Sequence, residues 1–182
     1  MADHICPWWM GYLLVNPFRR LLENPDKLLG PYVNRGMTVV DYGCGMGFFT
    51  LALARMVGPE GKVLAVDVQQ KMLDGMVKRS RRAGLADRIV PLLADSRGAG
   101  IGDAVDFIAA LHVVHELPDA KNFFSRMREA MKPGARLLVV EPGFHVSAKD
   151  FRASIEAARS VGLVVVGELE NGRRRRALLQ TA

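Results

Sequence analysis

Cysteine is nearly missing from this chain, which has two, Cys6 and Cys44, among 182 residues. Two thiols make no disulfide framework, so the stapled secreted domains are excluded and a reduced, cytoplasmic setting is expected. No apolar run approaches the ~20 residues that cross a bilayer, so no membrane role is expected. The opening residues Met1–Cys6 lack the basic region and small-residue cleavage site of a signal peptide. Internal repeats, low-complexity tracts and interdomain linkers are absent as well. Acids are outnumbered, 19 Asp and Glu against 25 Lys and Arg, leaving a formal charge of +6. That balance favours anionic partners in general. The positive residues are nevertheless spread along the chain, with clusters only at 78–82 and 173–176. Spread charge reads as a solvated surface first and a nucleic-acid surface second.

What is present suits one globular domain: 49% hydrophobic and 24% charged residues. The chain is organised around 37–52, Met-Thr-Val-Val-Asp-Tyr-Gly-Cys-Gly-Met-Gly-Phe-Phe-Thr-Leu-Ala. A β-branched run ends in Asp41, three alternating glycines follow (Gly43, Gly45, Gly47), and an apolar helical pattern begins. That is a strand feeding a helix through a turn that needs residues without a Cβ. Such a turn is expected to leave backbone N–H groups free for a ligand. A dinucleotide fingerprint would place its third glycine one residue later and bind pyrophosphate at the helix start. Asp41 would repel that group, but it suits a ligand that carries an ammonium.

From Val39 onward strands and helices alternate, which predicts a mostly parallel sheet covered on both faces. Strands are expected at Thr38–Asp41, Lys62–Asp67, Ile89–Leu93, Val105–Leu111 and Arg136–Glu141. Helices are expected at about 48–57, around Met72, Leu73, Met76 and Val77, at 119–132, and from the Ser147/Asp150 capping box to Gly162. Pro91 cannot donate to a ladder and assigns the third strand to an edge. Glu170-Asn171-Gly172 joins two final strand-like runs as a hairpin. Ahead of the sheet, 1–34 read as a helical extension, with Asn16-Pro17 and Asn24-Pro25 each starting a short helix. It holds both tryptophans, Trp8 and Trp9. This extension either packs on the core or forms a lid over a ligand cleft; residues 35–182 form the main domain.

The strand leading into Asp-x-Gly-x-Gly-x-Gly resembles the S-adenosylmethionine (SAM) motif of the class I methyltransferases. The resemblance runs from Val33 to the C-terminus. It implies an α/β fold: a doubly wound seven-stranded sheet of order 3-2-1-4-5-7-6, the last strand antiparallel, with helices on both faces. It further implies that Asp41, Gly43, Cys44, Gly45 and Gly47 cradle the cofactor and that Asp67 bonds its ribose hydroxyls. Val68 and Met72 would flank the adenine, and Asp95 and Ser96 would lie near its amino group. Met72, at helical spacing, could equally be core. The implied function is methyl transfer from SAM, leaving S-adenosylhomocysteine. The expected acceptor is a small molecule, with anionic ones the first to consider, since no appended docking domain is expected. RNA or protein methylation, favoured by the basic charge, and a non-catalytic SAM-binding module are the alternatives.

The segment Ala110–Asp119 follows the fourth strand, and in the family its counterpart faces the substrate. His112 and His115 are therefore the candidates for a general base, needed only if the nucleophile arrives protonated. The N/D-P-P-Y/F/W motif of many base and glutamine methylating enzymes is absent. His-x-x-His-Glu is not the zinc-protease order, and no third ligand is evident, so no metal is expected. Arg173 and Arg174, together with Trp8 and Trp9, are the candidate substrate-binding residues, the arginines for an anionic group.

Overall fold

The computed structural model describes residues 8–9, 11, 15, 23–94, 101–102, 104–171 and 174–181. Two compact units divide the chain, Met1–Ile101 and Gly102–Ala182. The expected Asn16-Pro17 helix lies outside the described residues.

In the first unit, helix α1 (Pro25–Leu29) starts as expected. The Asn24 side chain accepts from the N–H groups of Asp26 at 2.9 Å and Lys27 at 3.2 Å, and proline occupies the first turn. Strand β1 (Thr38–Tyr42) leads through the glycine turn to α2 (Thr50–Val57). Then come β2 (Lys62–Asp67), α3 (Gln70–Arg82) and β3 (Ile89–Leu93). β1 pairs parallel with β2 from Thr38↔Lys62 to Tyr42↔Val66, and β2 with β3 from Val63↔Ile89 to Asp67↔Leu93. This register brings the carboxyl ends of β1 and β2 side by side. The inner residues Val39, Val40, Val63, Ala65 and Val66 are fully buried.

In the second unit, β4 (Val105–Leu111) is followed by a 3₁₀ turn at Val114–Glu116 and α4 (Ala120–Ala130). Strand β5 (Met131–Pro142), α5 (Ala148–Ser160) and the hairpin of β6 (Leu163–Asn171) and β7 (Arg174–Thr181) complete it. β5 pairs parallel with β4 and antiparallel with β7, which pairs antiparallel with β6. The α5 start follows its capping box: Ser147 Oγ accepts from Asp150 N at 3.1 Å and donates to Asp150 Oδ2 at 2.6 Å. Phe107, Phe124 and Phe151 are fully buried here, and truncating any one to Ala would cost about 3–5 kcal/mol.

The seven strands form one sheet in the order β3-β2-β1-β4-β5-β7-β6. β3, with Pro91, lies at its edge. β5 begins five residues earlier than the sequence predicts. Pro133-Gly134 read as a break between helix and strand. In the structure they sit in an irregularity, where the β4–β5 register moves from Val105↔Met131 to Phe107↔Arg136. Gly134 takes a φ of 77° there, and bulges are where strands tolerate Pro and Gly.

Candidate functional site

Four of the glycine turn's amides, expected to be open to a ligand, are bonded within the protein. The N–H groups of Gly43 and Cys44 both donate to Val66 O at 2.9 Å, and that of Gly47 donates to Cys44 O at 2.9 Å. Gly45 N–H donates to Asp67 Oδ2 at 2.9 Å. The turn therefore spends these donors on fixing its shape against β2. All three glycines have positive φ, 76°, 52° and 81°, the region costly for residues with a Cβ. Their surroundings differ. A Cβ on Gly45 would meet nothing within 4 Å, whereas one on Gly47 would lie 2.7 Å from Met76 Cγ and 3.0 Å from Leu51 Cδ1. Gly45 borders open space; Gly47 allows α3 to pack closely.

Two buried acids lie at the carboxyl ends of the adjoining strands β1 and β2, Asp41 next to last and Asp67 last. Asp41, 2% exposed, accepts from Thr50 Oγ1 at 2.5 Å. Asp67, 8% exposed, accepts from Gly45 N–H through one oxygen and from Gln69 N–H at 2.9 Å through the other. Burial pushes the Asp67 carboxyl up, and the backbone donors of Gln69, Gly45 and Val68 only partly offset it. The buried Cys44 thiol lies well above its ordinary range, first through burial and then through the charges of Asp41 and Asp67. It is a neutral thiol.

Val68, next to Asp67, is 48% exposed, while Met72 is 3% exposed. A Cβ on Gly11 would stand 2.8 Å from Met72 Sδ and 3.0 Å from Met46 Cγ, so Gly11 packs directly on these methionines. Trp8 receives Lys71 Nζ 4.6 Å from its ring centroid, a cation–π contact. Trp9 is 61% exposed. The described part of the N-terminal segment thus touches the start of α3. Asp95, Ser96 and Arg173 lie outside the described residues.

In the second unit the loop after β4 carries both histidines. His112 adopts a left-handed φ of 61°, and its N–H donates to Val140 O at 2.7 Å. His115 Nδ1 lies 2.6 Å from Glu141 Oε2, and its backbone N–H donates to Glu141 Oε1 at 3.2 Å. Glu141, 2% exposed, is the penultimate residue of β5. Burial pulls the His115 pKa down, but the Glu141 hydrogen bond, the Glu141 charge and the Glu116 charge together raise it. The His145 ring stands edge-on to His115 at 5.0 Å. Its turn is tied by Arg175, whose Nη1 donates to Gly143 O at 2.9 Å. Arg174 is half-buried and pairs in register with Pro142 and Asn171.

Sequence reasoning passed over Glu141 and His145, and it held Arg175 only as part of the 173–176 cluster. A signal for Glu141 was available: like Asp41 and Asp67, it is an acid near the carboxyl end of an apolar strand. No group of three or more His, Cys, Asp or Glu suited to a metal ion occurs among the described residues.

Comparison with known proteins gives this geometry a family. The family model described as a methyltransferase domain matches residues 33–176. A ubiquinone/menaquinone biosynthesis C-methyltransferase (UbiE) from Salmonella arizonae is 29% identical over 146 residues, 78% of this chain and 58% of that protein. A demethylmenaquinone methyltransferase from Lactobacillus johnsonii is 31% identical over 110 residues, 60% of this chain and 45% of that protein. The match thus spans about half the length of these curated relatives. A crystal structure of a SAM-dependent methyltransferase from Aquifex aeolicus superimposes with a TM-score of 0.87 at 25% identity, covering 98% of this chain and 100% of that one. With the domain matched over most of its length and the strand order in agreement, the chain belongs to the class I SAM-dependent methyltransferase family.

Proposed function

We propose that this protein is a SAM-dependent methyltransferase acting on a small molecule and releasing S-adenosylhomocysteine. The observation that carries the reading is Asp67: a buried carboxylate at the end of β2, beside the open face of Gly45. A carboxylate has about four lone-pair sites, and the two close backbone donors leave room for ligand hydroxyls. The carboxylates of Asp41 and Asp67 beside the turn disfavour a pyrophosphate and suit a cationic ligand. Asp41, Gly43, Cys44, Gly45 and Gly47 would hold the aminoacyl end, Asp67 the ribose, and Val68, Met72, Asp95 and Ser96 the adenine. When bound, the cofactor supplies a methyl group already activated on a sulfonium sulfur. The chain's own work is then to position the acceptor, exclude water and, where the acceptor is protonated, take its proton at His112 or His115.

For the acceptor, Trp8, Trp9, Arg173 and Arg174 are the proposed contacts, the arginines for an anionic group. The relatives named for ubiquinone and menaquinone biosynthesis make quinone-type molecules a second set to screen. No helix among the described residues is long and apolar enough to cross a membrane; a cytoplasmic location is part of this proposal. RNA methylation draws support only from the charge of +6. RNA binding that disappears with a modest rise in salt would mark that charge as nonspecific.

Calorimetric titration with SAM and S-adenosylhomocysteine tests the reading, with Asp67→Ala as control. Micromolar binding lost in the variant is the expected result, and folded wild-type protein that binds neither compound removes the proposal. Turnover of any acceptor then separates an enzyme from a binding module.

A further inference from the structure

Within the first unit one side-chain contact crosses the glycine turn. Thr50 opens helix α2, nine residues after Asp41 on β1, and its Oγ1 lies 2.5 Å from Asp41 Oδ2. An ionised carboxylate only accepts, so the hydroxyl is the donor. Both partners are buried, Thr50 at 0% exposure and Asp41 at 2%. A threonine at a helix start commonly caps its own helix. Here Phe49 occupies the N-cap position, and the Thr50 hydroxyl is turned back to the strand instead. The three glycines between the two residues, all at positive φ, reverse the chain and bring the helix start to the strand end.

We propose that Thr50 is a positioning residue for the amino-acid end of the cofactor. Its hydroxyl fixes the rotation of the Asp41 carboxylate, so that the acid meets the ligand's ammonium group in one orientation. This rests on the methyl-transfer reading above. In that reading the adenosine end falls to Asp67 and Val68, so the two ends of the cofactor are held by different residues. Thr50 acts on one end alone.

The chemistry of the pair suits that role. The terminal torsion of an aspartate is broad, so its carboxylate takes the orientation that its hydrogen bonds impose. A hydroxyl imposes one without cancelling the negative charge. A carboxylate also offers about four acceptor sites, and a bond to one hydroxyl does not exhaust them. Burial keeps water from competing for the acid and strengthens its attraction for a cation that reaches it. Thr50 is itself held against the turn, because Leu51 N–H donates to Gly47 O at 3.3 Å and Leu53 N–H to Phe49 O at 2.9 Å.

The test compares two ligands by calorimetry. S-adenosylhomocysteine carries the amino-acid end, whereas 5′-methylthioadenosine keeps the adenosine and the thioether and lacks it. Wild-type protein should bind the first more tightly than the second. Thr50→Val keeps the side-chain shape and removes the donor. Its affinity for S-adenosylhomocysteine should fall about tenfold, the effect of one hydrogen bond to a charged group, with that for 5′-methylthioadenosine unchanged. Thr50→Ser, which restores the hydroxyl, should recover near wild-type affinity. An unchanged affinity for S-adenosylhomocysteine in Thr50→Val overturns the proposal. Equal losses on both ligands also overturn it, since they would mark a residue that only supports the fold. If Thr50→Val does not fold, Thr50→Cys, of similar size and a weak donor, should show the same selective loss, and equal losses there overturn the proposal too. Wild-type protein that binds both ligands equally overturns it without any variant. Folded wild-type protein that binds neither strikes the methyl-transfer reading instead, so the two failures are distinct.

Discussion

Exchanging two glycines of the same turn for alanine should have different consequences. At Gly45, φ is 52° and a Cβ meets nothing within 4 Å. Gly45→Ala should therefore cost only the left-handed penalty of about 1–2 kcal/mol. At Gly47, φ is 81° and the added carbon would lie 2.7 Å from Met76 Cγ and 3.0 Å from Leu51 Cδ1. Met76 is fully buried, and the atom approached lies near the root of its side chain, so it cannot swing aside. Overpacking of this kind adds about 1–3 kcal/mol. For a chain of 182 residues, each kcal/mol lowers Tm by roughly 2–4 °C. Gly47→Ala should thus lose roughly 4–20 °C and Gly45→Ala roughly 2–8 °C. Ligand binding should show the reverse order of specificity. The Gly45 methyl enters the open face beside Asp67, so the variant should stay folded and lose most of its affinity for S-adenosylhomocysteine. Thermal unfolding and calorimetry on the same preparations measure both quantities. A Gly47→Ala protein as stable as wild type, or a Gly45→Ala protein that binds the cofactor unimpaired, would refute this division of labour.

Cofactor affinity should weaken on acidification, because a protonated Asp67 cannot accept two hydroxyls. Burial raises its pKa above the ordinary 3.8, so the loss should begin at a higher pH than for an exposed aspartate and should vanish in Asp67→Asn, which binds weakly throughout. Calorimetry at a series of pH values reads this directly. The His115–Glu141 pair should stabilise the fold in the acid direction: with a folded pKa above the ordinary 6.5, its contribution is fully present below that value and is lost as pH rises through the folded pKa. The difference in denaturant midpoint between wild type and His115→Gln should accordingly shrink as pH rises through this window, and a difference that grows would contradict it. Cys44, a buried neutral thiol, should resist alkylation at pH 8 in a Cys6→Ser background and react only as the protein unfolds. Rapid labelling of the folded form would show the turn to be open.

Local signals accounted for much of the architecture. The run Val63–Val66 between a lysine and an acid reads as a buried parallel strand, and β2 spans Lys62–Asp67 as expected. Pro91 removes a ladder donor, and β3 lies at the edge. Asn24-Pro25 and Ser147 with Asp150 cap helices through contacts two or three residues away, which is why sequence alone locates them. β5 was harder, because Pro133-Gly134 signals a break unless a neighbouring strand absorbs the irregularity, and that neighbour is 26 residues earlier, from Val105 to Met131.

The sequence by itself determined the strand–turn–helix at Asp41–Thr50 and the acids that end β1 and β2, because chain connectivity and side-chain period dictate them locally. Only the tertiary structure decided how the turn amides are used. They are satisfied by Val66, Cys44 and Asp67, and two of these three belong to a strand brought alongside by register. It likewise decided which glycine faces open space and which faces Met76, since all three look alike in sequence and differ only in what is packed over them. The pairing of His115 with Glu141 is the clearest case. The two residues are 26 apart, and nothing near either of them announces the other. They meet because β4 and β5 run parallel, so the loop after one strand arrives beside the end of the next.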